Sequence, residues 1–203
     1  MIEILYQDRD ILVCVKPAGT LSERSEDTLS LARIIEEENS TGELFTVHRL
    51  DREVSGVMVY AKNKKSADKL SKMIAERRFY KEYLAIVEGV IEGDGDTLKD
   101  LLFRDMRKNK TYVVKRVRRG VKEASLEYSV ISRGEDTTLV RIILHTGRTH
   151  QIRVQFASRG HSVLGDRKYG SQVKREGIAL CSHKLEFEHP TTGKLLSFST
   201  EMP

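Results

Sequence analysis

Five consecutive residues, Val57-Met58-Val59-Tyr60-Ala61, carry no charge and are rich in β-branched and aromatic side chains. A run of this length and type is read as a strand covered on both faces. Ser55-Gly56 turns the chain into it, and before the turn stands the polar stretch His48-Arg49-Leu50-Asp51-Arg52-Glu53-Val54. Asp51 is therefore expected on a loop at the mouth of a buried strand. A carboxylate there, with Arg49 and Arg52 close in sequence, can be held ionised by positive charge and still be aimed at a ligand. The same stretch read alone fits equally well a turn aspartate between solvated arginines.

The 203 residues are enough to bury a sizeable core, and 39% hydrophobic with 32% charged residues is the balance of a globular chain. No apolar run approaches the roughly 20 residues of a membrane helix, and Met1-Ile2-Glu3-Ile4-Leu5 lacks the basic-then-apolar build of a signal peptide. A cytoplasmic protein is expected. Cys14 sits inside an apolar run and far in sequence from Cys181, which predicts two buried thiols rather than a disulfide. Without Cys-x-x-Cys or a regular histidine spacing, no metal site is predicted. Gly93-Asp94-Gly95-Asp96 lacks the later ligands and the closing Glu of a calcium loop, and is expected to make a hairpin turn.

The formal charge of +5 makes an anionic partner plausible, and its distribution says more. Arg104, Arg107, Lys108, Lys110, Lys115, Arg116, Arg118, Arg119 and Lys122 fall in one segment against the single acid Asp105, interleaved with Tyr112 and Val113-Val114. This reads as a basic β-ribbon suited to a phosphate backbone. A solvated hairpin without a partner is the plainer alternative.

Elsewhere Ile11 to Val15 reads as a strand ended by Lys16-Pro17-Ala18-Gly19. Asp27 or Thr28 can cap a helix with Leu31, Ile34 and Ile35 on one face. Ala67, Leu70 and Ile74 mark a second helix within Ser66 to Arg78. Tyr83 to Val90 is a strand, and Ser125 to Ile131 and Thr138 to Thr146 should pair antiparallel around Gly134-Glu135-Asp136. A third helix begins in Gly147-Arg148-Thr149-His150-Gln151-Ile152-Arg153, capped by Thr149 and ended by Gly160. Its Ile152 and Phe156 face the core, while Arg153 points away from that face, able to reach a site. Leu180 to Phe187 and Leu195 to Phe198 close the chain as a hairpin. These elements favour a single α+β domain spanning 1–203, with a mixed, largely antiparallel sheet and flanking helices.

Three segments taken together, His48-Arg49-Leu50-Asp51 with Ser55-Gly56 and Ala61-Lys62, then Lys81-Glu82-Tyr83-Leu84-Ala85, then Gly147-Arg148-Thr149-His150-Gln151-Ile152-Arg153, resemble the RluA-type pseudouridine synthases in order and separation. Leu12 to Gly19, Leu164-Gly165-Asp166 and the stretch from His183 to Gly193 extend the resemblance over nearly the whole chain. It implies the pseudouridine synthase fold and isomerisation of uridine in ribosomal or transfer RNA, with no cofactor and no metal. Position by position it implies Asp51 as catalytic aspartate, Tyr83 as active-site tyrosine, Arg153 as the basic partner of the aspartate, and Arg49 as the arginine filling the gap left by an extruded nucleotide. Arg148 and Gln151 would touch phosphate or support the helix, and His48 would buttress the loop. Val54 replaces the usual threonine, which removes one loop hydrogen bond. Many relatives carry an added N-terminal RNA-binding domain, and the catalytic pattern here starts within the first dozen residues, so a single catalytic domain without that module, working as a monomer, is expected. Recognition would then rest on the catalytic domain, with Arg116, Arg118 and Arg119 of the basic segment as RNA-binding residues.

The residue types suit the reaction. Pseudouridine formation breaks the bond from ribose C1′ to uracil N1, turns the base and rejoins it through C5, so the protein must supply a nucleophile that can leave again and a dry pocket. A carboxylate beside a guanidinium answers the first need. A base in a stacked helix is out of reach until flipped out, at a cost of a few kcal/mol, and Tyr83 offers a ring to stack on it. A catalytically inactive RNA-binding module on the same scaffold is the alternative of another class. Hydrolase chemistry on Ser55 is disfavoured because Glu53 occupies the first glycine position of Gly-x-Ser-x-Gly.

Overall fold

The apolar run of the sequence is a strand buried at every position from Ser55 to Ala61. A computed structural model describes residues 1–25 and 29–202. In chain order its elements are β1 (Ile4–Gln7), β2 (Ile11–Lys16), α1 (Leu31–Asn39), β3 (Phe45–Thr46), β4 (Ser55–Ala61), α2 (Lys64–Ala75), β5 (Tyr80–Glu88), β6 (Gly95–Asp105), β7 (Lys110–Val114), β8 (Val121–Arg133), β9 (Thr137–Leu144), α3 (Gln151–Ala157), a 3-10 turn (Arg167–Tyr169), β10 (Leu180–Glu188) and β11 (Leu195–Ser199). The sheet is mixed and mostly antiparallel, and the class is α+β. Contacts divide the chain into two units, Met1–Lys81 with Cys181–Pro203, and Glu82–Leu180.

In the first unit the strand order is β1-β2-β4-β10, with β3 also on β4 and β11 on β10. The β4–β10 pairing is parallel and short, Cys181 opposite Ser55 and Ser182 opposite Gly56. Gly56 is what allows it. Its φ is 117°, and a Cβ there would lie 2.3 Å from the Ser182 carbonyl oxygen, so any side chain would force the two backbones apart. One face of β2 and β4, carrying Ile11, Val13, Val57, Val59 and Ala61, packs with Leu70 and Met73 of α2 and with Phe79, Leu185 and Phe187. Phe79 and Phe187 stack at 4.8 Å. Asn63 caps α2 by accepting from Ser66 N at 2.9 Å, and Arg77 ends that turn at φ 59°. The predicted caps of α1, Asp27 and Thr28, lie outside the described residues. Ser30 holds the N-cap position, accepting from Arg33 N. Cys14 and Cys181 are buried and unpaired.

The second unit orders its strands β5-β9-β8-β6-β7. The expected antiparallel pair is β8 with β9. The hairpin expected at Gly93-Asp94-Gly95-Asp96 is not formed: β5 pairs with β9 instead, placing Tyr83 opposite Ile142 and Ala85 opposite Val140. These positions are all buried, whereas β6 begins with three exposed residues and offers β5 no apolar match. The sheet is covered by α3, whose Val154 packs with Leu102, Ala124 and Tyr169.

Two expectations about α3 are corrected. Its N-cap is His150, in the left-handed region at φ 56° and without a side-chain cap bond, rather than Thr149. The loop before it is tied instead by Gln151, whose Oε1 accepts from Thr146 Oγ1 (2.8 Å) and Arg148 N (3.0 Å) and whose Nε2 donates to Ser125 O (3.1 Å). Nor does Arg153 point away to an open face, because Gln151 through Phe156 are all buried. A short helix set down among strands has no solvent side to present. Gly160, at φ 86°, follows the helix and donates to Ala157 O at 3.1 Å.

Candidate active site

The loop bearing Asp51 is held from beneath by a buried lysine. Lys16 closes β2 with its side chain wholly out of solvent. Its ammonium donates to Pro17 O (2.9 Å), Thr20 O (2.8 Å) and Arg52 O (3.0 Å), one acceptor for each N–H. The turn after β2 and the loop before β4 are thereby fastened to one cation. Arg52 Nε returns the tie by donating to Gly19 O at 2.9 Å, and Gly19 N donates to Arg52 O at 2.8 Å. Burial pulls the Lys16 pKa down to about 8, against the opposing pull of the Glu53 and Asp51 carboxylates. Within the loop, Val54 N donates to Asp51 O at 3.0 Å, closing a tight turn with Val54 buried. Ser22 Oγ bridges Leu50 by donating to its carbonyl (2.8 Å) and accepting from its N–H (3.1 Å). Asp51 itself is partly exposed at the crest of this braced turn.

His48 buttresses the same loop. Its Nε2 accepts from Val59 N at 3.1 Å, which extends the edge pairing of β3 along β4. Burial, aided by the Lys81 charge, holds its pKa well below the usual histidine range, so the ring is neutral with its proton on Nδ1. Arg49 is exposed and pairs with Glu23 at 2.9 Å.

In the second unit Tyr83 lies on β5, with 7% of its surface exposed. Arg153 is gripped by Asp166 in a bidentate pair, Nε to Oδ2 at 2.6 Å and Nη2 to Oδ1 at 2.8 Å, both side chains almost fully buried. Its guanidinium also lies over the Tyr169 ring, 5.2 Å from the centroid. Tyr169 is fixed in turn, since its hydroxyl accepts from Thr111 N (2.9 Å) and meets His150 Nδ1 (2.8 Å). Asp166 uses two of the five N–H groups of Arg153 and sets the plane in which the others are presented.

The basic segment is only partly a ribbon. Strands β6 and β7 form an antiparallel hairpin, Asp105 opposite Lys110, but Arg116, Arg118 and Arg119 occupy the exposed loop between β7 and β8. Arg118 rests over the Phe103 ring at 4.6 Å, so the loop is not wholly loose. Among the described residues the one group of metal-ligand types is Asp8, Asp10 and His189. It is a closed set of hydrogen bonds: His189 Nδ1 accepts from Thr191 N (3.2 Å) and Thr192 N (3.1 Å), which leaves Nε2 to donate to Asp8 Oδ2 at 2.8 Å. Neither ring nitrogen offers a lone pair to an ion.

Of the residues singled out in the sequence, Asp51 and Arg49 belong to the first unit, and Tyr83, Arg153, Arg116, Arg118 and Arg119 to the second. Lys16, Asp166 and Tyr169 were not anticipated as supports. The signal for Lys16 was a charge ending an otherwise apolar strand. For Asp166 it was an acid directly after a glycine turn, which reads as an ordinary turn residue.

The sequence model of the RNA pseudouridylate synthases matches residues 10–158, and the chain belongs to that family, in its RluA-type branch. An uncharacterized RNA pseudouridine synthase of Aquifex aeolicus (strain VF5) is 39% identical over all of this chain and 70% of its own length. Ribosomal large subunit pseudouridine synthase C of Escherichia coli (strain K12) is 33% identical, covering 98% of this chain and 66% of that protein. Among solved structures, human RNA pseudouridylate synthase domain containing 1 matches with a TM-score of 0.83 and 27% identity, over 100% of this chain and 84% of that one. No described helix is long and apolar enough to cross a membrane.

Proposed function

We propose that this RNA pseudouridine synthase acts on uridines of ribosomal RNA, with Asp51 as the catalytic nucleophile on a nucleotide flipped out of its stack. The observation that carries the reading is the bracing of the Asp51 turn by Lys16, which positions one partly exposed carboxylate at the mouth of a buried strand. A loop fastened through Arg52 O to the cation that also holds the turn after β2 loses little entropy when it engages substrate. The E. coli and Salmonella relatives named for the large ribosomal subunit support the RNA class. Arg153, held in one orientation by Asp166, is the basic residue of the same reading. Tyr83 stacks on the extruded uracil, and Arg49 fills the space that the nucleotide leaves. In the reaction the C1′–N1 bond breaks, a C1′–C5 bond forms, the C5 proton is lost to solvent and N1 takes up a proton, so the balance needs no oxidant and no cofactor. The two units serve as one catalytic domain of a cytoplasmic, monomeric enzyme.

Asp51→Asn tests the assignment, since the amide keeps the shape but cannot act as nucleophile. The variant should fold with the wild-type Tm and release no tritium from RNA labelled at uridine C5. Near-full tritium release would remove Asp51 from the chemistry. Mapping pseudouridines across the host's ribosomal and transfer RNA with and without this gene identifies the substrate; loss confined to transfer RNA would overturn the ribosomal reading.

A further inference from the structure

Phe79, Lys81 and His48 form a cluster in the first unit, in which the chemistry above leaves Lys81 without a task. The Phe79 ring has His48 tilted against it at 6.3 Å and Lys81 Nζ 5.7 Å from its centroid. Among the described residues, neither Lys81 Nζ nor His48 Nδ1 beside this ring has a hydrogen-bond partner. Lys81 is partly buried, and burial holds its pKa down to about 8 with no carboxylate acting to raise it. Its contacts among the described residues are the Phe79 ring and the charge it projects on His48. His48 spends Nε2 on Val59 N–H, and its Nδ1 is buried with no hydrogen-bond partner among the described residues.

An ammonium partly withdrawn from water without a counter-ion is costly, and the buried unsatisfied N–H of His48 adds to the cost. Packing alone would be served better by a methionine. Elsewhere in this unit the pattern is the opposite: Lys16 meets three carbonyls and Lys62 meets Asp8 O at 2.6 Å. Two donors and no acceptor around one ring make a patch of positive potential that an anion would complete. Lys81 also precedes Tyr83 by two residues on β5, and side chains at that spacing share a face of the strand, roughly 7 Å apart along it. We infer that Lys81 holds a backbone phosphate of the RNA next to the uridine being isomerised, with the His48 N–H dipole reinforcing its charge. The inference rests on the RNA-modifying reading and adds an anion contact to it.

The test is binding of a fluorescently labelled single-stranded oligouridylate, by anisotropy across roughly 50 to 200 mM salt. Lys81→Met keeps the stem and removes the charge. It should weaken binding about fivefold to tenfold at low salt and reduce the slope of log affinity against log salt by about 0.7, the share of one phosphate on a single strand. Its Tm should equal or exceed that of wild type, and Lys81→Arg should restore the slope. A wild-type slope and affinity in Lys81→Met, or a lowered Tm with an unchanged slope, makes Lys81 a packing residue and overturns the inference. Weaker binding with an unchanged slope assigns Lys81 to a neutral oxygen of the nucleotide and overturns it as well. Should Lys81→Met lose slope while the wild-type protein makes no pseudouridine, the phosphate contact stands and the Asp51 reading falls. Should product form while Lys81→Met binds like wild type, the reverse holds.

Discussion

His48 is a neutral buttress, and that neutrality has a measurable consequence. In the unfolded chain it takes up a proton as pH falls through about 6.5, whereas in the fold burial and the Lys81 charge keep it unprotonated well below that value. The unfolded state therefore binds more protons in this window, and stability must fall as pH falls from 6.5 towards 5, by up to about 1.4 kcal/mol per pH unit from this one group. Protonation would also convert Nε2 from acceptor to donor and break its bond from Val59 N. His48→Gln, which can accept the same bond and does not titrate, should lose less stability over that interval, as read from urea midpoints at each pH. Identical pH dependence in the two proteins would mean that the ring titrates normally in the fold. The role of His48 as a buttress could be read from its place in the motif. The bracing by Lys16 could not, because a lysine ahead of Pro17 and Gly19 has the look of a solvated strand end until three carbonyls are brought around it.

At the scale of elements, the loop that crosses from β7 to β8, strands on opposite sides of β6, carries Arg116, Arg118 and Arg119 into solvent. Guanidiniums without carboxylate partners among the described residues contribute at such a site to phosphate binding through released counterions. Replacing all three by glutamine should weaken RNA binding nearly uniformly across sequences and flatten its salt dependence, by a slope of about 2 to 3 on duplex regions. An unchanged slope would leave the loop as plain surface. The helix α3 shows where reading an element from sequence goes astray. Ile152 and Phe156 at i and i+4 were correctly placed in the core, but a two-faced helix was assumed. Arg153 is buried too, since Asp166 and Tyr169 from the following turn supply the partner and the ring that make a buried guanidinium tolerable. Nothing within α3 announces a partner thirteen residues on.

For the whole molecule, the two compact units are joined without a linker. Their boundaries fall between Lys81 and Glu82 inside β5 and between Leu180 and Cys181 at the start of β10. With each boundary inside a strand rather than in a linker, a single cooperative transition is expected, with equal calorimetric and van't Hoff enthalpies. Two resolved heat-absorption peaks would divide the chain into independent folding domains. What the sequence by itself determined is whatever is encoded locally: the strand after the Asp51 turn, the alternation that pairs β8 with β9, the closing hairpin of β10 and β11, and the motif spacing that marks a pseudouridine synthase. Tertiary structure alone decided which strand lies beside β5, which carbonyls meet Lys16 and which acid grips Arg153. Each of those choices depends on desolvation, and a buried charge or an unpaired strand edge selects its partner from residues distant in sequence, by the free energy of leaving it without one.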